Sequence, residues 1–461
     1  MRDAHGLELS TDAAAAVAAF DHVIAGYLKY RADTPQRLQA LLAADPGFAL
    51  AHCVQGYMLM LGYKAALLPA ARAAEATARR LAVDATAREH AHVEALAAWI
   101  DDDLDRALAA WEGILLHHPH DVLAMRLAHF VNFWLGRPQD MLASIERILP
   151  HYTPAHPGYA SVLACRCFAN EECGNYLAAE PDGRRAIELD PGDLWAAHAV
   201  AHVLEMQGRR QEGIQWLTTL APNWEGGNNI QHHLWWHCAL YHIENGEYST
   251  VLELYDQRFR NLASPLTTAT PDVYIDVQNA ASMLFRLVRQ GVDVGRRWEE
   301  LADHAEARIG DTLSAFTLPH WMMALTASGR DGAAVRFLEG MRATPNSAAG
   351  TNSVTGTNSG AGTVAGIVAS YALPVSDAVR LHAQGRYGEA VDRMLPVLGG
   401  MYRMGGSHAQ QDVLEQLFLD AATRADRTDA IRLIAERVAA RRPIPLIRLA
   451  GWREAAAHLA A

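Results

Sequence analysis

Cysteine is scarce in this 461-residue chain, which has only Cys53, Cys165, Cys167, Cys173 and Cys238. An odd, scattered set excludes a disulfide framework. Cys165, Cys167 and Cys173 share one amphipathic segment and read as core thiols. Positive charge is also in deficit, with 40 Lys and Arg against 52 Asp and Glu and a formal net charge of −12. Such a chain lacks the basic surface that displaces counterions from a nucleic acid, so no nucleic-acid partner is expected. The N-terminal run Met1-Arg2-Asp3-Ala4-His5-Gly6 has no apolar stretch of a secretory signal, and no later run reads as long enough to span a bilayer. The expected setting is the reducing cytoplasm, without a membrane partner. Missing too are a nucleophile elbow, a phosphate loop and a dinucleotide fingerprint.

Half of the residues are hydrophobic, which sets the chain apart from disordered proteins. Ala and Leu abound while strand-like alternation of Val, Ile and Thr is rare, so helices are favoured. The segment 157–191 has the spacing of a tetratricopeptide hairpin, with a turn at Gly174-Asn175-Tyr176, small residues Ala179 and Ala186, and Pro191 closing the second helix. Gly183 departs from that pattern by standing where a large apolar residue is usual. Further turns are read at Gly136, Gly208, Gly246, Gly329 and Gly385, and Ala107 and Trp111 mark another copy. The pattern predicts an all-α fold: an α-solenoid of tetratricopeptide-like helix–turn–helix repeats wound into a right-handed superhelix. Residues 1–343 form its N-terminal and central repeats and 365–461 its C-terminal repeats, with 344–364 a flexible loop rich in Ser, Thr, Asn and Gly. A shorter irregular stretch, 222–229, reads as a loop with an Asn cap.

The chemistry concentrates in two histidine pairs. His198 and His202 stand four residues apart, and His233 and His237 repeat that spacing 35 residues later. Four residues is one helical turn, so each pair projects from one face. Glu205 continues the first stripe, Asp276 lies on a later first helix, and His320 is in phase with His237 relative to its turn. Three roles stay open. The two pairs, His198, His202, His233 and His237, can ligate a divalent metal such as zinc or iron. They can instead do acid–base chemistry with Glu205 and Asp276. Or they can be satisfied groove or core histidines, the reading given to His129. No zincin motif is present, because Glu does not follow the first His of either pair. Trp195, Trp236 and Tyr241 are candidate walls of a ligand pocket, Arg297 a candidate carboxylate clamp, and Ser407 and Gln410 candidate ligand-orienting groups.

The runs WAAHAVAHVLEM at 195–206, HLWWH at 233–237 with ALY at 239–241, SML at 282–284, GRRW at 295–298 and GGS at 405–407 resemble the tetratricopeptide repeat protein 38 family over about residues 10–440. The chain departs at 344–364, and His232 and His242 fall outside the matching motifs. The resemblance implies a helical repeat fold and places His198, His202, Glu205, His233, His237, Asp276 and His320 on family positions. It implies little about activity. Two functions are carried forward. One is an enzyme or receptor whose concave groove binds a small polar molecule through the His/Glu/Asp cluster, with hydrolase, lyase or isomerase chemistry. The other is a scaffold that binds a peptide or protein in the same groove without catalysis.

Overall fold

The computed structural model describes residues 1–344 and 362–460. The loop expected at 344–364 lies outside the described residues except for its ends. Among the described residues the only extended pairings are two isolated bridges, Arg2 with Glu8 and Arg31 with Gly227, so the fold is all-α as expected. The chain divides into two compact units, Met1–Val200 with Leu220–Ile230, and Ala201–Thr219 with Gln231–Ala461.

The first unit is a series of helical hairpins. Ala14–Leu28 packs on Thr34–Ala44, Ala49–Met60 on Leu68–Leu81, and Ala87–Ile100 on Leu104–His117. Val122–Trp134 then packs on Pro138–Ile148, and Tyr159–Glu172 on Tyr176–Leu189. The second unit continues the pattern with Tyr274–Arg289 beside Arg297–Ala307, Leu373–Ala383 beside Tyr387–Met394, and His408–Arg424 beside Thr428–Arg441.

One backbone hydrogen bond recurs at the turns. Asn175 N donates to Asn170 O at 2.8 Å, closing the first helix of its hairpin around Gly174 at φ +79°. This is the Schellman geometry, which needs a left-handed residue. The same bond follows Gly136, Gly208, Gly246, Gly329 and Gly385, the other turns read from the sequence. It also closes turns at Tyr30, Asp102 and Asp426, where a non-glycine residue takes the left-handed conformation.

Gly183 has a packing reason. A Cβ there would lie 2.5 Å from Val200 Cγ2 and 2.7 Å from Cys167 Sγ, so these side chains occupy the space of the usual large residue. The cysteines are free thiols, with Cys53, Cys165, Cys167 and Cys238 buried. The stretch at 222–229 is partly regular: a 3-10 turn at Ala221–Trp224 precedes the loop, and Asn228 Oδ1 accepts from Ile230 N at 3.0 Å.

One expectation needs correction. The continuous helical stretch Thr363–Ala383 is long and apolar enough to cross a membrane by length and composition. It nevertheless carries Asp377, which is buried and ion-paired with Arg380 and Arg393. Ion-paired carboxylates are expensive in lipid and ordinary on core helices.

Candidate metal centre

Two caps set the helices that carry the histidines. Asp193 Oδ1 accepts from Trp195 N at 2.9 Å and Ala196 N at 3.0 Å, starting Leu194–Met206. Asn228 starts Ile230–Glu244. His202 projects from the first helix, and His233 and His237 from the second. These three belong to the second unit, and each offers a ring nitrogen within 4.8 Å of the others. The His202 and His237 ring centroids are 4.4 Å apart, and those of His233 and His237 4.7 Å apart. His198 is buried one turn before His202 on the same unbroken helix.

The three imidazoles are interior, with His202 and His237 fully buried and His233 nearly so. This corrects the reading that placed them on an open groove face. Burial and the neighbouring imidazoles push His202 and His233 well below the ordinary histidine value. Burial alone pushes His237 down to about 3. All three are therefore neutral near pH 7, and a neutral imidazole keeps a lone pair for a metal.

Neighbours fix which nitrogen carries the proton. His237 Nδ1 lies 3.0 Å from Glu205 Oε2, and His233 Nδ1 lies 2.7 Å from Asn279 Oδ1. The Asn279 amide oxygen accepts, so His233 Nδ1 carries the proton, and with Glu205 ionised His237 Nδ1 does so as well. Metal-ligating histidines are held in this way by a carboxylate or carbonyl on the far nitrogen. Trp236 stacks on His233 with centroids 5.0 Å apart and donates from Nε1 to Ser282 Oγ at 3.1 Å.

Glu205 faces a second polar layer. Arg442 approaches its Oε1 to 3.9 Å and Asp412 Oδ1 to 3.8 Å, while Arg286 Nη2 donates to Asp412 Oδ2 at 3.2 Å. Burial outweighs these cations and raises the Glu205 carboxyl to about 7. A cavity of about 30 Å³ lies against Glu205, Tyr241, Arg286, Asp412, Arg442 and Trp452. That volume suits a water rather than a drug-sized ligand.

Several candidates lie elsewhere or have local roles. Asp276 Oδ2 is 2.9 Å from His232 Nδ1, so it pairs with a histidine outside the matching motifs. Arg297 makes a two-pronged contact with Asp256, at 2.9 and 2.6 Å, and is not a clamp at the histidines. Ser407 and Gln410 form a reciprocal capping box at the start of His408–Arg424. His320 Nδ1 donates to Phe316 O at 2.9 Å, and burial lowers its value to about 4. Tyr241 donates to Ala201 O at 2.6 Å and packs over Gly213. Trp195 belongs to the first unit, tilted against His198 with ring centroids 4.6 Å apart.

The sequence reading missed Asn279, Ser282, His408 and Arg442. The signal for Asn279 was its place three residues after Asp276 on the same helix. His408 is close enough to His202 to influence its charge, and burial with Arg441, Arg442 and Arg437 lowers His408 to about 3.

No family model matches the chain. Among solved structures it is similar to a human IFIT1 dimer with m7Gppp-AAAA, at 14% identity, 90% coverage of each chain and a TM-score of 0.42. A monomeric IFIT1 mutant with Gppp-AAAA shows 12% identity, coverage of 100% of this chain and 97% of that one, and a TM-score of 0.41. Its own paired helices and recurring turns make the chain an all-helical protein of tetratricopeptide-like repeats.

Proposed function

We propose that His202, His233 and His237 bind a divalent transition metal such as zinc or iron. One observation carries the reading: His202, His233 and His237 bring ring nitrogens within 4.8 Å of one another in the interior, with Asn279 and Glu205 on the Nδ1 side of His233 and His237. A tetrahedral ion bound at about 2.0–2.1 Å needs its nitrogens roughly 3.4 Å apart. The ring nitrogens lie within 4.8 Å of one another, so coordination would draw them closer together. An all-imidazole donor set suits zinc, iron or copper over magnesium or calcium. When bound, the ion supplies a Lewis acid beside a carboxyl with a value near 7, and water is a reactant of the size the adjoining cavity admits. The likeness to the tetratricopeptide repeat protein 38 family, the small polar substrate and the cytoplasmic setting belong to this same proposal.

Elemental analysis of protein purified without an affinity His-tag or chelator tests it, beside a His202→Ala/His237→Ala variant. Near-stoichiometric zinc, iron or copper that is lost in a folded variant supports the centre. No metal in the parent, and no uptake when each ion is added, overturns it.

A second reading rests on the Glu205–His237 contact. A carboxyl near 7 hydrogen-bonded to a buried imidazole, next to a water-sized cavity, can exchange a proton without any metal. It takes precedence if the elemental analysis finds no ion.

A further inference from the structure

The first unit buries a cation without an anionic partner. Arg126, on Val122–Trp134, is 2% exposed. Its guanidinium carbon lies 5.1 Å from the Tyr30 ring centroid and 4.7 Å from that of Trp195, so two aromatic faces hold it. Nη1 donates to Cys165 Sγ at 2.9 Å, and Tyr30 and Tyr27 are further polar neighbours. Nη2 is buried with no hydrogen-bond partner among the described residues. Asp193 is the carboxylate whose charge reaches it, but Oδ1 of Asp193 caps the Leu194–Met206 helix and no ion pair forms.

Two neighbours share this condition. Trp195 Nε1, which can only donate, has no acceptor among the described residues. Both ring nitrogens of His129 are buried and without partners, and its ring lies 6.1 Å from that of Trp195. Burial and the Arg126 charge keep His129 neutral, with one N–H to give. Arg126, Trp195 and His129 are thus neighbouring side chains with unmatched donors, beside the rings of Tyr30 and Phe168. An uncompensated buried charge costs several kcal/mol, which a bound anion would offset.

We propose that this cluster binds the carboxylate of a small organic acid. One guanidinium balances one negative charge, which favours a carboxylate over a phosphate dianion, and the aromatic walls favour an organic body. The proposal does not depend on a metal at the histidines.

Calorimetric titration of the full chain with sodium benzoate tests it, with benzyl alcohol as the uncharged ring and inorganic phosphate as the alternative anion. Saturable binding of benzoate and none of benzyl alcohol is expected. Arg126→Met should abolish benzoate binding, and Trp195→Phe, which keeps a ring and removes one N–H, should weaken it about tenfold. Circular dichroism shows whether Arg126→Met folds, and Trp195→Phe decides the matter if it does not. Absence of benzoate binding, unchanged affinity in Trp195→Phe, or binding of phosphate with benzoate silent would each overturn the proposal, leaving ordered water as the partner of Arg126.

Discussion

Glu205 holds His237 from behind: its Oε2 lies 3.0 Å from Nδ1, on the side of the ring opposite Nε2. With a metal bound at the histidines as proposed, Glu205 would support a ligand from behind rather than ligate the ion itself. Glu205→Gln keeps the shape and weakens the acceptor. Metal affinity should fall about 10- to 100-fold, the usual effect of losing such a support, with helicity unchanged. Competition against a chromophoric chelator reads the change directly. Equal affinity in parent and variant would remove Glu205 from the centre.

The buried histidines make the fold sensitive to acid. His202, His233 and His237 are lowered in the folded chain, while unfolding returns each to an ordinary value of 6.5. Between that value and the folded one the unfolded chain binds protons that the folded chain refuses. The stability they contribute is complete above about pH 6.5 and drains away as pH falls, by up to about 1.4 kcal/mol per pH unit for each histidine. Glu205 works in the opposite sense: raised from 4.5 to about 7, its contribution is present below pH 4.5 and lost as pH rises through 7. Three histidines outweigh one carboxyl. Urea midpoints measured on the metal-free protein from pH 7 to pH 4 should fall, with a shallower slope for His237→Gln.

Gly183 should reject the residue that its repeat position usually carries. A Cβ collides with Val200 and Cys167, so Gly183→Leu should cost about 1–3 kcal/mol through overpacking. The thermal midpoint should drop while far-UV circular dichroism keeps its helical form. A neutral result would mean that the Tyr159–Glu172 and Tyr176–Leu189 helices separate easily.

Ser407 distinguishes a cap from a ligand contact. Ser407→Ala removes the acceptor for Gln410 N and should cost about 0.5–2 kcal/mol in urea unfolding. Metal content should stay at the parent level. Loss of metal from a stable variant would return Ser407 to the site.

The hairpins were legible because glycine marks most of their turns, and the histidine pairs because one helical turn is a spacing any reader can count. The turns at Tyr30, Asp102 and Asp426 were not, since no residue type there announces a left-handed backbone. Asp276 and Asn279 were hard to tell apart, as both sit on one stripe of Tyr274–Arg289 and only packing sends the first to His232 and the second to His233. Ser407 and Gln410 did carry a readable signal. Ser followed three residues later by Gln is the pattern of a capping box, and a functional reading was laid over it.

The three non-glycine turns bear on how repeats are tallied. The bond that closes the hairpin at Gly174 also closes those at Tyr30, Asp102 and Asp426, to acceptors Gly26, Ala98 and Ala422. A census by letters passes over these joints, whereas a census by hydrogen bonds counts them equally. The recurring unit of this chain is thus a backbone contour, and its amino-acid signature can erode without the contour being lost.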